Sequence, residues 1–375
     1  MTQAQYVALM LVRKAINTIS GITIPAGLNW TDVIDILINQ GISGLCFDVI
    51  EDIPRDRRPM RKELMRWHGY TTMIEHNYHV HKQTISKIVE LFANTDINVN
   101  LIKGYGLSLN WPVPEHRPCC DIDIFPVFSG KTHICYNEMH NRVDCAWRLV
   151  NKLIEKSGKK VIYNNPHHSQ FWIDGILIEN HKTLMDVKKI ASNKIYEDFL
   201  ESLIAEDTNT KIVSIGDSNF TILTKELAIM HLLRHTIGDF STIGMTLRQL
   251  VDWAMSVRTY GYSINWLFVY KIAERFNMHI FLSSINGICV RYLGMNDNMF
   301  PIRYPNVQLE NRIINDILNP EFHDKIPQVN NKFKYAIVKI KRTFINRWKY
   351  KISYNDSFCK ILWTTSWNRI RRFGS

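Results

Sequence analysis

With 375 residues, 46% hydrophobic and 22% charged, the chain has the composition of an ordinary soluble protein and the length for two or three structural units. No window reaches about eighteen apolar residues, which excludes a membrane-spanning helix, and seven scattered cysteines without a Cys-x-x-Cys pair fit reduced thiols in a cytoplasm rather than a disulfide scaffold. The net charge of +11 is local: residues 332–375 hold twelve Lys or Arg and one acid, Asp356, while the rest carries 34 bases and 34 acids and is neutral.

Residues 1–92 read as an N-terminal helical region. "YVALMLVRKAI" opens it as an amphipathic helix rather than a signal peptide, since it lacks a basic n-region and a cleavage site. "TDVIDILINQGI" and "TTMIEHNYHVHKQTISKIVELFANT" continue the helical spacing on either side of the polar break "DIPRDRRP". From 93 to 185 the texture is mixed. "INVNLIKG", "DIDIFPVF" and "VIYN" read as strands, and Asp174-Gly175 in "SQFWIDGILIENH" signals a hairpin. Between them, "THICYNEMHNRVDCAWRLVNKLIEKSG" reads as a helix ending at Gly158. Residues 186–331 read as a helical C-terminal domain. "TKELAIMHLLRHTIG" begins at a Thr cap and ends at Gly238, followed by "MTLRQLVDWAMSVRTYG", "NWLFVYKIAERFNM" and a Pro-rich connector. Residues 332–375 form a basic, aromatic, amphipathic tail. The pattern predicts an α+β fold: a small mixed sheet flanked by N-terminal and C-terminal helical regions.

"DIDIFP" places Asp121 and Asp123 on one face of a strand, roughly 7 Å apart, with Ile122 and Ile124 on the other. Two carboxylates on a half-buried strand repel each other and resist desolvation, unless a cation lies between them. A divalent metal does this, and Mg²⁺ favours one or two carboxylates together with phosphate oxygens. On the strand after the hairpin, Glu179 has the parity to face both aspartates, and His181 follows on the same side. Upstream, an apolar strand runs into Lys103-Gly104-Tyr105-Gly106 and a helix start. Glycines there let a backbone approach phosphate closely, with Lys103 and Arg117 adding charge. A lone Asp-x-Asp is a weak signal; its combination with the glycine turn and the later acidic strand is far more specific.

In this order the residues resemble the nucleotidyltransferase superfamily with a DNA polymerase β-like palm, most closely its bacterial branch of uncharacterised nucleotidyltransferases. Lys103-Gly104, Arg117, Asp121-Ile122-Asp123, Glu179-Asn180-His181, "HLLRH" at 231–235 and "LRQLVD" at 247–252 carry the likeness. The superfamily usually has Gly-Ser or Gly-Gly in the turn, where this chain has Gly104-Tyr105. The resemblance implies transfer of a nucleoside monophosphate from an NTP, with Mg²⁺ (or Mn²⁺) held by Asp121, Asp123 and Glu179. It also implies that Lys103, Gly104, Ser108 and Arg117 border the triphosphate and that Arg248 contacts nucleotide or acceptor.

Other constellations read more plainly. His76, His79 and His81 have no cysteine nearby and fit a solvated helix face better than zinc. His231 and His235 lie at i, i+4 without the usual Glu and read as histidines that line or support the cleft. Arg248 and Asp252 have the spacing of a surface ion pair. Cys119-Cys120 fit close packing rather than nucleophilic catalysis.

The tail clusters Ile337, Ile340, Phe344, Ile345 and Trp348 on one helical face and adds Trp363 and Trp367. It favours an anionic membrane surface over nucleic acid or packing on the protein body. The leading expectation is a cytoplasmic enzyme, peripheral at the inner face of the membrane, with a small or membrane-linked acceptor. The alternatives are a non-catalytic nucleotide-binding or scaffold protein on the same fold, and a toxin-like enzyme that nucleotidylates tRNA or protein.

Overall fold

The computed structural model describes residues 1–17, 21–128, 139–188, 190–204, 209–215, 218–322 and 332–364. The first helices are α1 (Gln3–Ile16), α2 (Trp30–Asn39) and α3 (Ser43–Phe47). Then α4 (Arg61–Phe92) runs for 32 residues and buries Trp67, Ile74, Tyr78, Ile85, Ile88 and Phe92 along one stripe. The chain enters β1 (Ile97–Leu101), turns through the short α5 (Gly104–Ser108), and returns as β2 (Asp121–Phe128). Helix α6 (Met139–Lys156) leads to the hairpin of β3 (His168–Ile173) and β4 (Ile176–His181). The first part of the expected α6 segment, 132–138, lies outside the described residues.

The Asp174-Gly175 pair turns this hairpin with φ of 52° and 79°, the left-handed values that a two-residue type I′ turn requires. After α7 (Ser192–Ile204) come two strands that the sequence reading placed in a helical stretch: β5 (Thr210–Ile215) and β6 (Ser218–Leu223). "TKIVSI" and "SNFTIL" are short and rich in β-branched residues, and their pairing to each other overrides the helical texture around them. The sheet order is β3-β4-β2-β1-β6-β5. β2 runs parallel to β4 and antiparallel to β1, and β1 runs parallel to β6, so the sheet is mixed as expected.

The two faces of the sheet have different fates. Ile122, Ile124, Phe171, Ile173 and Ile178 pack under α4 and α6 with Ile85, Ile88, Val150 and Ile154. Phe125 and Val127, on the face that carries Asp121 and Asp123, join the larger core of the helical regions. That core is built from α1, α2, α8 (Lys225–Thr242), α9 (Leu247–Tyr260), α10 (Trp266–Arg275), α11 (His279–Arg291) and α12 (Val307–Leu318). Helix α8 starts after Thr224 at its N-cap position as expected, without a side-chain cap bond, but passes through Gly238, where the sequence pattern ended it. The hydroxyls of Ser241 and Thr242 donate to the Gly238 carbonyl, and Gly244, at φ 101°, ends the turn.

In the tail, α13 (Lys332–Ile345), α14 (Arg347–Lys351) and a helical stretch at 358–364 follow. Lys349, Tyr350, Ser353, Tyr354 and Ile361 are buried against the body, while Ile337, Ile340, Phe344 and Trp363 are exposed. Trp367 lies outside the described residues. No helix among the described residues is long and apolar enough to cross a membrane.

Candidate active site

Parallel pairing sets Asp123 beside Glu179 and Asp121 beside Leu177, so the three acids share one face of adjoining strands. The hairpin register then places Gln170 beside Glu179 and His168 beside His181. Gln170 Nε2 donates to Glu179 Oε1 at 2.9 Å, and His168 Nε2 lies 3.3 Å from the same oxygen. His181 Nε2 is 2.8 Å from Asp123 Oδ1, and Lys103 Nζ donates to that oxygen at 3.2 Å. Asp123 and His181 are almost fully buried.

Lys103 and His181 both contact Asp123, and His181 also lies 3.6 Å from Glu179, so the charge is uneven across the three acids. Burial raises the Asp123 pKa, but Lys103 and His181 outweigh it and hold the carboxyl well below the usual range. Burial, then Asp123 and Glu179, push Asp121 above its ordinary value, and Lys103 offsets this only in part. Burial lowers the Lys103 and His181 pKa values, and their carboxylate partners raise both overall. Glu179 is held down against burial by His181, His168 and Gln170. This donor set is rich in oxygen and has a net deficit of positive charge, as a hard divalent cation requires.

The acids floor a cleft of about 310 Å³ between the sheet and the helical region. Lys103, Gly104 and Gly106 form one wall. Gly104 sits at φ 45°, and a Cβ at Gly106 would come within 2.9 Å of the Leu101 carbonyl, so the turn that brings backbone to the acids excludes larger residues. Tyr105, at the position where Ser or Gly is usual, points away and stacks on Tyr78 at 4.9 Å. Ser108 is not brought to the cleft: it is fully buried and donates to the Tyr105 carbonyl at 2.6 Å.

The helical side supplies α9. Arg117 lines the cleft, but its guanidinium forks onto Asp252 through Nε at 2.8 Å and Nη2 at 2.9 Å, and Trp111 Nε1 donates to the same carboxylate. Asp252 thus pairs with Arg117 rather than with Arg248 one turn away. Arg248 lines the cleft with Nη1 on the Pro118 carbonyl at 3.3 Å and a buried Nε that has no hydrogen-bond partner. Its backbone N–H donates to the Gln40 carbonyl at 3.1 Å, and Gly41, at φ 69°, lets the α2 exit press against its side chain. His231 and His235 both line the cleft. Burial and nearby Lys103 hold His231 well below its ordinary pKa, so it is neutral. His76 and His79 are exposed, His81 contacts the Asn77 carbonyl at 2.7 Å, and none joins a group with metal-ligand geometry among the described residues.

A family described as uncharacterised nucleotidyltransferase matches residues 26–126 and 144–294, which include every cleft residue named above. The chain belongs to this family. No curated protein and no solved structure matches it. A general nucleotidyl-transfer role follows from the family. Within this nucleotidyltransferase, the residues missed by sequence reasoning are His168 and Gln170, which flank Glu179. A two-residue turn at 174–175 fixes residue 168 opposite 181 and 170 opposite 179, so counting back across the hairpin finds both. The Arg117–Asp252 fork spans 135 residues of sequence and left no local signal.

Proposed function

We propose that the chain is a Mg²⁺-dependent nucleotidyltransferase that moves a nucleoside monophosphate from an NTP to a small or membrane-linked acceptor. The observation that carries this reading is the shared face of Asp121, Asp123 and Glu179 at the floor of a cleft walled by the Gly104 turn and Arg248. Asp121, Asp123 and Glu179 would hold the metal, and the raised Asp121 pKa marks where positive charge is wanting. When bound, Mg²⁺ (Mn²⁺ is the alternative) neutralises charge on the triphosphate and on the leaving pyrophosphate.

The protein groups have distinct tasks in this reading. Lys103 and His181 hold Asp123 in one rotamer and keep it ionised. Gln170 fixes Glu179, whose carboxylate accepts the proton of a hydroxyl acceptor as its oxygen attacks the α-phosphorus in line. The bond from the α-phosphorus to the bridging oxygen then breaks and pyrophosphate leaves. Gly104 and Gly106 admit the phosphates close to the backbone, and Arg248 meets them with a planar fork. Arg117 acts through Asp252, as the brace between the β2 approach and α9. Incubation of the protein with each of the four α-labelled NTPs and cell extract tests the activity. Label transfer that needs Mg²⁺ and Glu179 supports it; no transfer with any NTP, and no Mg²⁺-dependent NTP binding, favours the non-catalytic alternative.

The membrane-linked part rests on the tail. Ile337, Ile340 and Phe344 are 50%, 39% and 48% exposed at helical spacing, on a segment that carries the net charge of the chain. Such a face attaches reversibly to an anionic surface, with apolar insertion and charge acting together.

A further inference from the structure

Behind the acids, the hairpin gathers three imidazoles. One ring nitrogen each from His167, His168 and His181 lies within 4.8 Å of the others. Hydrogen bonds define two of the rings. His181 Nε2 faces the Asp123 carboxylate, which only accepts, so the Nε2–H donates, and Nδ1 is turned toward His167. Thr183 Oγ1 donates its one proton to the Met185 carbonyl at 2.8 Å and therefore accepts from His167 Nδ1–H. That leaves a lone pair on His167 Nε2. The charged His181 donates its Nδ1–H to this lone pair across 3.2 Å. A metal ion that displaces that proton takes one lone pair from each ring. The separation is close to the edge, about 3.3 Å, of a tetrahedron with metal–nitrogen bonds of about 2.0–2.1 Å. His168, more than nine-tenths buried, has an Nδ1 with no hydrogen-bond partner.

We propose that His167, His168 and His181 form an imidazole site for a borderline transition-metal ion of the Zn²⁺ class, separate from the oxygen-lined site of the three acids. The ligand chemistry divides the two: imidazole selects Zn²⁺, Co²⁺ or Ni²⁺, whereas carboxylates select Mg²⁺. Burial, and then neighbouring His181, lower both the His167 and the His168 pKa, His168 to about 4. Half-buried His167 leaves a path for the ion and a position for water. Asp123 and Thr183 orient the ligands from behind, as carboxylates and hydroxyls do at zinc sites. A metal here fixes His181 with its Nε2–H on Asp123, and so stiffens the acid site it adjoins.

Co²⁺ titration of the full chain tests the site, because four-coordinate nitrogen-ligated Co²⁺ absorbs strongly in the visible range and oxygen-ligated six-coordinate Co²⁺ does so weakly. The expected result is one equivalent of Co²⁺ with strong bands, retained in excess Mg²⁺ and in Asp121→Asn. His167→Gln loses the bands while its melting curve is kept. Thr183→Val, which keeps all three rings, weakens Co²⁺ binding about 10-fold or more. Absence of strong bands in the wild type overturns the proposal, as does their loss in Asp121→Asn with survival in His167→Gln. The outcome does not depend on NTP transfer, so it stands or falls apart from the proposed function.

Discussion

Asp121 and Asp123 differ by one residue on a strand and by nearly everything in their surroundings. From sequence alone, Asn at either position relieves repulsion and leaves stability equal or higher. The structure separates them. Asp121→Asn removes the carboxylate that burial and its neighbours oppose, so its melting temperature is expected to equal or exceed the wild type. Asp123→Asn leaves Lys103 and His181 facing a neutral amide in a buried setting, at a cost on the order of 3 kcal/mol. Chemical denaturation of the two variants checks this; equal stabilities contradict it. The two arginines divide in the same way. Arg248→Lys keeps charge without the planar fork and is expected to weaken NTP use with little change in stability. Arg117→Lys breaks a two-bond fork to buried Asp252 and is expected to lower stability first. Paired melting curves and NTP titrations decide it.

At the scale of elements, alternation and turn chemistry carried the sequence reading a long way. The parity of Asp121, Asp123 and Glu179, the Asp174-Gly175 turn and the long helix before β1 all follow from local rules. What was illegible is non-local. β5 and β6 hide between helices because each is only six residues long, and Ser108 reads as a phosphate ligand until the turn aims its hydroxyl at Tyr105. Another such contact joins α4 to the segment before β2. His116 lies 2.8 Å from Asp48 and 2.9 Å from Glu75. Burial pushes its pKa down, and the two carboxylates more than reverse this, so the folded value lies above the ordinary one. Its stabilising effect is therefore full below about pH 6.5 and is lost as pH rises through the raised folded pKa. The stability gap between wild type and His116→Gln should be wider at pH 6 than at pH 9, as read by thermal melting; a gap independent of pH contradicts the pairing.

Over the whole molecule, the sheet separates two apolar cores, and the cleft opens where the acid-bearing face meets the helical region. The tail belongs partly to that body. Lys349 Nζ donates to buried Asp316 at 2.6 Å, and Arg234 reaches the Ser353 carbonyl at 3.3 Å. Truncation after Asn331 is thus expected to destabilise the protein, and membrane attachment is better tested by Ile337→Glu with Phe344→Glu. That double variant should keep the wild-type melting curve and lose sedimentation with anionic vesicles; retained sedimentation contradicts the tail reading. Lys349→Met should cost about 3 kcal/mol, most of it recovered in Lys349→Met with Asp316→Leu. The central claim, that three acids on one sheet face bind an NTP through Mg²⁺, is tested most directly by calorimetric titration of NTPs into the full chain with Mg²⁺ and with EDTA. The account predicts binding by the wild type in Mg²⁺ alone, and none by folded Asp121→Asn. Equal binding by Asp121→Asn, or binding by the wild type that ignores EDTA, contradicts it.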